Sequence, residues 1–199
     1  MIREFRLSPL IGSALLVLLA SCALFHHEEP FEEASPALKS EIDRLVKDLE
    51  YQHGAELLRS NQRLVYIGEP AIPTLLEALR SRDAKTKANA TYVLGEIRDR
   101  RVVPYLEPLV ENEDGSVRYE AAASLLVLGD WNVSVPVLFQ GMRDPDRWNR
   151  FKAFSVLKNA FRQDFGYDWQ APEPAREEAV KRFEEWWAKG GGGSDRVRP

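Results

Sequence analysis

The stretch PYLEPLVENEDGSVRYEAAASL, residues 104–125, carries a pattern that occurs three times along the chain. Its skeleton is Pro-x9-Asp-x3-(Lys/Arg)-x2-Ala-x3-Leu, and the copies begin at Pro73, Pro104 and Pro136. The second copy begins 31 residues after the first, and the third begins 32 residues after the second. A period of this length is typical of stacked supersecondary units, each of which buries its apolar face against its neighbours. The sequence therefore predicts a repeat protein whose function lies on a surface.

Each copy divides into an A helix that begins near the proline and a B helix that begins near the aspartate. Apolar residues of the first copy recur at helical spacing in both halves, namely Ile72, Leu75, Leu76 and Leu79, then Ala90, Val93, Leu94 and Ile97. A proline in the first turn is tolerated because its missing N–H has no helical partner there. The aspartates follow short polar links, so we expect each of them to be the N-cap of its B helix.

This pattern resembles the HEAT family, specifically its short bacterial variants, over about residues 68–162. The passage IGEPAIPTLL, residues 67–76, and the AAASL of residues 121–125 are also typical of such proteins. The resemblance implies an all-α fold, an α-α superhelix of antiparallel helix pairs with capping helices at both ends. The sequence departs from the family pattern at Lys87, where the other copies carry arginine, and in its short pitch.

Every copy also places an acid and a base four residues apart on one helix face, as a catalytic pair would require. Three equally spaced copies favour architecture over catalysis, and in the HEAT family the equivalent aspartate and arginine form a hydrogen-bonded ladder between neighbouring repeats. The resemblance therefore implies a structural ladder, made of Asp83, Lys87, Asp114, Arg118, Asp146 and Arg150.

The chain on either side of the three repeats, which span residues 70–164, is expected to cap them. Residues 36–69 read as a degenerate N-terminal capping repeat, and residues 165–189 include an amphipathic helix that would cap the other end. Trp186 and Trp187 at the end of that helix leave an alternative open, an exposed patch for a partner or a membrane interface. The glycine-rich residues 190–199 are predicted to be a disordered tail.

Residues 1–21 read as a secretion signal, with basic residues ahead of an apolar run from Leu10 to Ala20. A membrane-spanning helix needs roughly 20 apolar residues, although an uncleaved anchor is the alternative. The residues Leu19-Ala-Ser-Cys22 resemble the lipobox of bacterial lipoproteins, which implies that Cys22, the only cysteine of the chain, is lipidated.

Lipidation would hold the mature chain on a membrane surface. Ala23 follows the cysteine, and by resemblance to Gram-negative sorting rules this favours the outer membrane. We therefore expect a lipid-anchored protein of the bacterial cell envelope that faces the periplasm. Residues 22–35 read as a flexible tether, and we assign no metal site to the His-His-Glu-Glu run within it because its ligands do not converge from ordered elements.

In HEAT-like solenoids the B helices line the concave face. When the core positions of these helices point inward, four aromatic residues fall on the opposite side, and we call them the aromatic stripe: Tyr92, Tyr119, Trp148 and Phe151. Asn89, Glu96, Glu120 and Lys152 lie beside them. Exposed aromatic side chains are frequent anchors of protein interfaces, so the stripe is the candidate partner-binding surface. The alternative is that the last helix or a neighbouring turn covers it.

The composition makes nucleic acid an unlikely partner. The formal net charge is −4, and removal of residues 1–21 takes away Arg3, Arg6 and Glu4 and leaves −5. Proteins that neutralise several phosphates usually carry a basic stripe, and no such stripe is visible in this sequence.

These observations favour a non-enzymatic interaction scaffold that needs no cofactor and holds an envelope protein or peptide. The ordered region carries only His53, no cysteine and none of the common hydrolase or phosphate-loop motifs. A resemblance to the HEAT-like repeats of phycobilin lyases supports an alternative, a maturation factor or chaperone. A site made of aspartate and glutamate alone is the remaining enzymatic hypothesis.

Overall fold

The computed structural model describes residues 29–192, and the helical unit discussed below begins at Phe31. Within this part of the chain the regular structure is helical, with no β-strand, which confirms the predicted all-α fold class. The α-helices are α1 (Pro36–Tyr51), α2 (Gly54–Ile67), α3 (Ile72–Ala78), α4 (Ala84–Ile97), α5 (Val103–Leu106), α6 (Gly115–Val127), α7 (Trp131–Gly141), α8 (Arg147–Phe161) and α9 (Glu173–Ala188). Short 3-10 helices lie at Glu69–Ala71, Arg100–Val102 and Glu107–Glu111.

The B helices of the three repeats are α4, α6 and α8, and each begins after its aspartate. The side chains of Asp83, Asp114 and Asp146 accept hydrogen bonds from backbone N–H groups in the first turn of these helices. The bond from the Thr86 nitrogen to Asp83 is 2.7 Å long. A cap of this kind satisfies an N–H group that the helix leaves without a partner and stabilises it by about 1 kcal/mol. The repeat spacing predicted these N-caps correctly.

The A helices vary more than the repeat pattern predicts. Pro73 and Pro104 lie in the first turn of α3 and α5, as expected. Helix α7 begins earlier, at Trp131, so Pro136 lies inside it and removes one helical hydrogen bond. The prediction of a first-turn proline is therefore wrong for the third repeat. The indole of Trp131 donates a 3.0 Å hydrogen bond to the carbonyl oxygen of Leu126, which anchors the early start of α7.

Two clusters of buried apolar side chains form the core, and α6 contributes to both. The first cluster involves α1 to α6 and includes Leu125. The second involves α6 to α9 and includes Ala122 and Leu126. Because both sides of α6 are covered, the run of small residues at 121–123 suits its position between neighbouring helices. Full burial of a leucine such as Leu125 contributes about 1.5–3 kcal/mol.

Residues 31–34 pack against the repeats, although the sequence assigned them to a flexible tether. The Arg101 guanidinium lies over the Phe31 ring, 4.6 Å from its centroid. The backbone N–H of Glu32 donates a 2.9 Å hydrogen bond to Glu69 Oε1, and Arg101 forms an ion pair with the same carboxylate. The boundary of any tether therefore lies before Phe31, because an aromatic ring and a backbone donor both find partners on the repeats.

Helix α9 covers the end of the third repeat. Its Phe183 is fully buried in the second core cluster. Trp186 and Trp187 are half-buried, and their rings lie 5.2 and 5.5 Å from the ring of Phe161. These contacts favour the interpretation of α9 as a cap over the alternative of a free aromatic patch.

Helix α9 ends in a Schellman motif at the start of the glycine-rich segment. Gly190 has a φ of 91°, and its N–H donates to the carbonyl of Trp187. The next N–H, of Gly191, donates to the carbonyl of Trp186 at 2.9 Å. This pair of bonds needs a left-handed residue, which glycine provides without steric cost. The predicted disordered tail thus contributes its first glycines to the helix end, and residues 193–199 lie outside the described part.

No helix within residues 29–192 combines the length and apolar character needed to cross a membrane. The predicted secretion signal, the lipobox and Cys22 all precede Glu29 and therefore lie outside the residues that the structure describes.

Candidate functional site

The three B helices together line a groove of about 390 Å³. We call it the B-helix groove. Its lining residues are Tyr92 and Glu96 on α4, Glu120, Ala123, Ser124, Leu126 and Val127 on α6, and Lys152, Val156, Asn159 and Ala160 on α8. On each helix these residues recur every three or four positions, so they share one face. The repeat architecture therefore combines equivalent faces of three consecutive repeats into one concave surface.

A partly buried ion pair lies in the wall of this groove. The Lys152 ammonium donates a hydrogen bond to Oε2 of Glu120 and so joins α8 to α6. Glu120 is only 9% exposed. Burial raises the pKa of its carboxyl group because the charged form is desolvated, and the Lys152 charge opposes this effect. The negative charge of Glu96 raises the Glu120 pKa further.

Tyr92 and Glu96 lie one helical turn apart on α4 and form the opposite side of the groove. Tyr92 is 36% exposed, and burial raises the pKa of its hydroxyl, with smaller contributions from the charges of Glu96 and Glu120. Within residues 29–192 the Glu96 carboxylate has no hydrogen-bonding or ion-pair partner. The groove thus combines apolar walls, a phenol, an ion pair and one unpaired carboxylate.

The predicted aromatic stripe does not form a single surface, because Tyr119 is buried. Its exposed fraction is 3%, and its hydroxyl donates a 2.8 Å hydrogen bond to Asp144 Oδ2. The Arg118 guanidinium covers the ring, 4.7 Å from its centroid. The prediction of an exposed Tyr119 is wrong because α7 and the link before α8 cover this side of α6, which the spacing within one helix does not reveal.

Trp148 and Phe151 are exposed, 59% and 43%, but they lie outside the B-helix groove. They form an aromatic cluster with Trp169, which follows α8 in the link to α9. The ring centroids of Trp148 and Trp169 are 6.2 Å apart at an interplanar angle of 26°. The Phe151 and Trp169 centroids are 5.4 Å apart. Sequence reasoning missed Trp169 because this link has no helical period that would assign it a face.

Sequence reasoning did place Tyr92, Glu96, Glu120 and Lys152 on one side of the B helices, and the structure brings them together in the groove. It missed the apolar residues that complete the walls. Val127 and Val156 continue the helical spacing from Glu120 and Lys152 by one or two turns, so the same helical periodicity, extended further, would have found them.

The predicted ladder has different partners from those expected. Arg118 donates to the backbone carbonyls of Asn112 and Glu113 in the link before its own helix. Its inter-repeat contact is an ion pair with Asp144, 3.5 Å away. The capping residues Asp83, Asp114 and Asp146 instead bind the first turns of their own helices. The ladder therefore connects an arginine to the next link, and the capping aspartates are not part of it.

Arg150 repeats the arrangement of Arg118 in the third repeat. It donates to the carbonyls of Asp144 and Pro145 at 2.8 Å each, and to the carbonyl of Trp169 in the next link at 3.1 Å. Lys87 occupies the equivalent position in the first repeat, but its ammonium has no such bond in the described part of the chain. The planar guanidinium of arginine can donate to two carbonyl oxygens at once, whereas the single ammonium group of lysine has no such fixed pair of donors.

The described residues include no group of three or more histidine, cysteine, aspartate or glutamate side chains that could hold a metal ion. Among the described residues that line the groove, Ser124 carries the one aliphatic hydroxyl. This hydroxyl donates a 3.0 Å hydrogen bond to the carbonyl oxygen of Thr91. The groove offers apolar contact from its walls and charge from Glu96, Glu120 and Lys152.

Comparison with known proteins agrees with this architecture. A model of HEAT repeats matches residues 72–158. Among solved structures, a chain in the complex of CpcE and CpcF of phycocyanin lyase from Nostoc sp. PCC7120 is 22% identical, with a TM-score of 0.51 over 75% of this chain and 90% of that chain. Human deoxyhypusine hydroxylase in complex with glycerol is 24% identical, with a TM-score of 0.40 over 78% of this chain and 47% of that one.

No curated protein sequence matches this chain. The similarity to the chain of the CpcE and CpcF complex lies below 25% identity and concerns the fold alone. The family model covers the three repeats from the start of α3 almost to the end of α8, the same region in which the aspartate caps recur. Residues 72–158 of this all-α chain thus match the HEAT repeat family.

Proposed function

We propose that this protein is a non-enzymatic scaffold that binds a segment of a partner protein in the B-helix groove. The observation that carries the proposal is the ion pair in the groove wall between the buried carboxylate of Glu120 and the partly exposed ammonium of Lys152. Taking the charge of Glu120 out of water is costly, and a pair that contains a buried charge often stabilises a protein no more than apolar residues of the same volume would. Its position beside an open groove therefore supports a role in recognition.

The size and the walls of the groove support the same function. A volume of about 390 Å³ is within the range of clefts that bind side chains or small ligands. Apolar side chains such as Val127 and Val156 supply contact area, and the few charged groups supply specificity. The hydroxyl of Ser124 is engaged by a backbone carbonyl and has no basic partner among residues 29–192, so binding fits these residues better than nucleophilic catalysis does.

The proposed location is the bacterial cell envelope, with the protein held on the outer membrane by a lipid on Cys22 and facing the periplasm. Its support is the sequence Leu19-Ala-Ser-Cys22 at the end of a short apolar run. Substitution Cys22→Ser should abolish labelling by a radioactive fatty acid and release the protein from membranes. Membrane retention of the unlabelled variant would support an uncleaved helix instead.

Site-specific photocrosslinking tests the binding function. A benzoylphenylalanine in place of Val127 lies in the groove, whereas one in place of Tyr66 lies on the exposed side of α2. We expect an adduct with a discrete envelope protein from position 127 and none from position 66. Equal adducts from both positions, or none from position 127, would contradict the proposal.

A second candidate function is a maturation factor or chaperone that handles a tetrapyrrole. Its support is the fold similarity to a chain of phycocyanin lyase and the lysine in an apolar groove, which suits a ligand that carries carboxylates. The purified protein mixed with a bilin should then retain its colour through gel filtration, and Lys152→Met should weaken this retention. A colourless protein fraction, or equal retention by the variant, would contradict this candidate.

A further inference from the structure

The charges of the B-helix groove do not balance. Of the described residues that line it, Glu96 and Glu120 are acidic and Lys152 is the one cation. Lys152 is already engaged by Glu120. Glu96 has no partner within residues 29–192. Burial is the main cause of the raised pKa of Glu120, and repulsion from the Glu96 charge makes a smaller contribution. A second cation in the groove would relieve this repulsion.

The shape of the groove suits a particular kind of cation. Val127 and Val156 offer apolar walls, and the carboxylate of Glu96 and the half-exposed ring of Tyr92 lie together on α4. Lysine and arginine combine an aliphatic stem with a charged head, so one side chain can satisfy both surfaces. An aromatic ring beside the carboxylate also attracts a cation through its π face. A free metal ion would gain nothing from the apolar walls.

We infer that the B-helix groove binds a partner segment that inserts a lysine or arginine side chain, with its stem along Val127 and Val156 and its cation beside Glu96 and Tyr92. This inference rests on the proposed scaffold function and adds the chemical class of the bound segment. Because Lys152 is engaged by Glu120, the unpaired carboxylate of Glu96 would repel an acidic side chain in the same place.

Peptide binding tests the inference with defined probes. We would use dye-labelled, acetylated heptapeptides of alternating alanine and leucine with a central arginine, lysine, citrulline or glutamate, and measure fluorescence anisotropy against the purified full chain. Citrulline has the shape of arginine without its charge. We expect arginine and lysine peptides to bind about tenfold more tightly than citrulline, because a hydrogen bond between charged groups is stronger than one to a neutral group. The glutamate peptide should bind least.

Two variants separate the groove from the rest of the acidic surface. Glu96→Gln removes the unpaired carboxylate without breaking an intramolecular contact, and it should abolish the preference for arginine over citrulline. Glu178→Gln, on the exposed side of α9, is the matched control and should keep the preference. Absence of arginine-peptide binding, equal binding of arginine and citrulline, or an unchanged preference in Glu96→Gln would overturn the inference.

The test also separates the inference from the scaffold function on which it rests. If photocrosslinking from position 127 yields a partner while the peptides show no preference for a cation, the scaffold function stands and the inference fails. If ultracentrifugation shows self-association that Glu96→Gln abolishes, the groove belongs to a second copy of this chain, which also overturns the inference.

Discussion

The hydroxyl of Tyr119 donates a hydrogen bond to Oδ2 of Asp144, 2.8 Å away, and so ties α6 of the second repeat to the link before α8 of the third. Arg118 forms an ion pair with the same carboxylate and donates to the tyrosine hydroxyl at 3.1 Å. Inter-repeat contact in this stack therefore includes a polar network as well as apolar packing. Since Tyr119 is buried within it, changes at this residue act on stability.

Substitution Tyr119→Phe removes only the hydroxyl and leaves the ring in place. We expect the free energy of unfolding to fall by about 1.5 kcal/mol, because the Asp144 carboxylate loses a donor in a largely buried position. Urea denaturation measures the change. Tyr105→Phe is the control, since Tyr105 is half exposed and its loss of a hydroxyl should change stability by less than about 0.5 kcal/mol. Equal stabilities of the two variants would contradict this account of Tyr119.

Gly95 on α4 lies against Ser124 on α6 so closely that a Cβ on the glycine would lie 2.6 Å from Ser124 Cβ. In an exposed helix, Gly→Ala usually stabilises a protein. Here we expect Gly95→Ala to destabilise the fold by about 1–3 kcal/mol, because α4 and α6 must move apart. The double variant with Ser124→Gly should recover part of this loss, and a double-mutant cycle of thermal unfolding measures the coupling. Additive effects would mean that the two helices do not meet at these residues.

Asp114 should stabilise α6 through its cap. Its side chain accepts hydrogen bonds from the N–H groups of Ser116 and Val117. Asp114→Ala is expected to cost about 1 kcal/mol, whereas Asp114→Asn keeps an acceptor and should cost only a few tenths. Urea denaturation of both variants at neutral pH measures the loss in the free energy of unfolding. Equal losses in Asp114→Ala and Asp114→Asn would mean that the negative charge, and not the hydrogen-bond acceptor, stabilises the helix.

The pH dependence of stability above pH 4.5 should include a contribution from Glu120. Burial raises the pKa of this carboxyl group above its usual value of 4.5, so the folded chain binds the proton more tightly than the unfolded chain does. Stability attributable to Glu120 should therefore rise as the pH falls through its raised pKa, and level off below the unfolded value of 4.5. Urea midpoints at several pH values should show a smaller rise in Glu120→Gln than in the unchanged protein.

At lower pH the opposite effect takes over. The hydrogen bonds to Asp99 and Asp114 lower the pKa of both carboxyl groups, and the largest causes are the side chains of Arg101 and Ser116 respectively. Their contribution to stability is present above the unfolded value of 3.8 and is lost as the pH falls through the lowered pKa. If the urea midpoint of Glu120→Gln depended on pH in the same way as that of the unchanged protein, the role assigned to Glu120 would be refuted.

Much of the fold could be predicted because its signals are local. The period of the skeleton identified the repeats, and the position of Asp83 after a polar link identified a helix start. The last repeat was predicted less well, since the packing of Trp131 moved the start of α7 away from Pro136. Helix ends depend on contacts with other segments, which a period along one chain does not contain.

The candidate site was predicted in part. Helical spacing placed Glu96, Glu120 and Lys152 on one side of three helices, because each helix presents a fixed face once its core positions are known. The same argument predicted that Tyr119 would be exposed, but in the structure it is buried. A helical period states which residues share a face, and it does not state whether another segment covers that face.

The sequence by itself determined the all-α repeat, the register of its three units and the aspartate that starts each B helix, because these follow from backbone hydrogen bonding and apolar period within one helix. Only the tertiary structure decided that Tyr119 bonds to Asp144 and that Glu120 and Lys152 meet in a groove. It also decided that Arg118 and Arg150 donate to backbone carbonyls of the links and not to the capping aspartates. The contacts Tyr119–Asp144 and Glu120–Lys152 join residues of different repeats, whereas the bonds of Arg118 and Arg150 to backbone carbonyls tie each helix to the link before it. The burial and length of all of them depend on how the helices and links pack together.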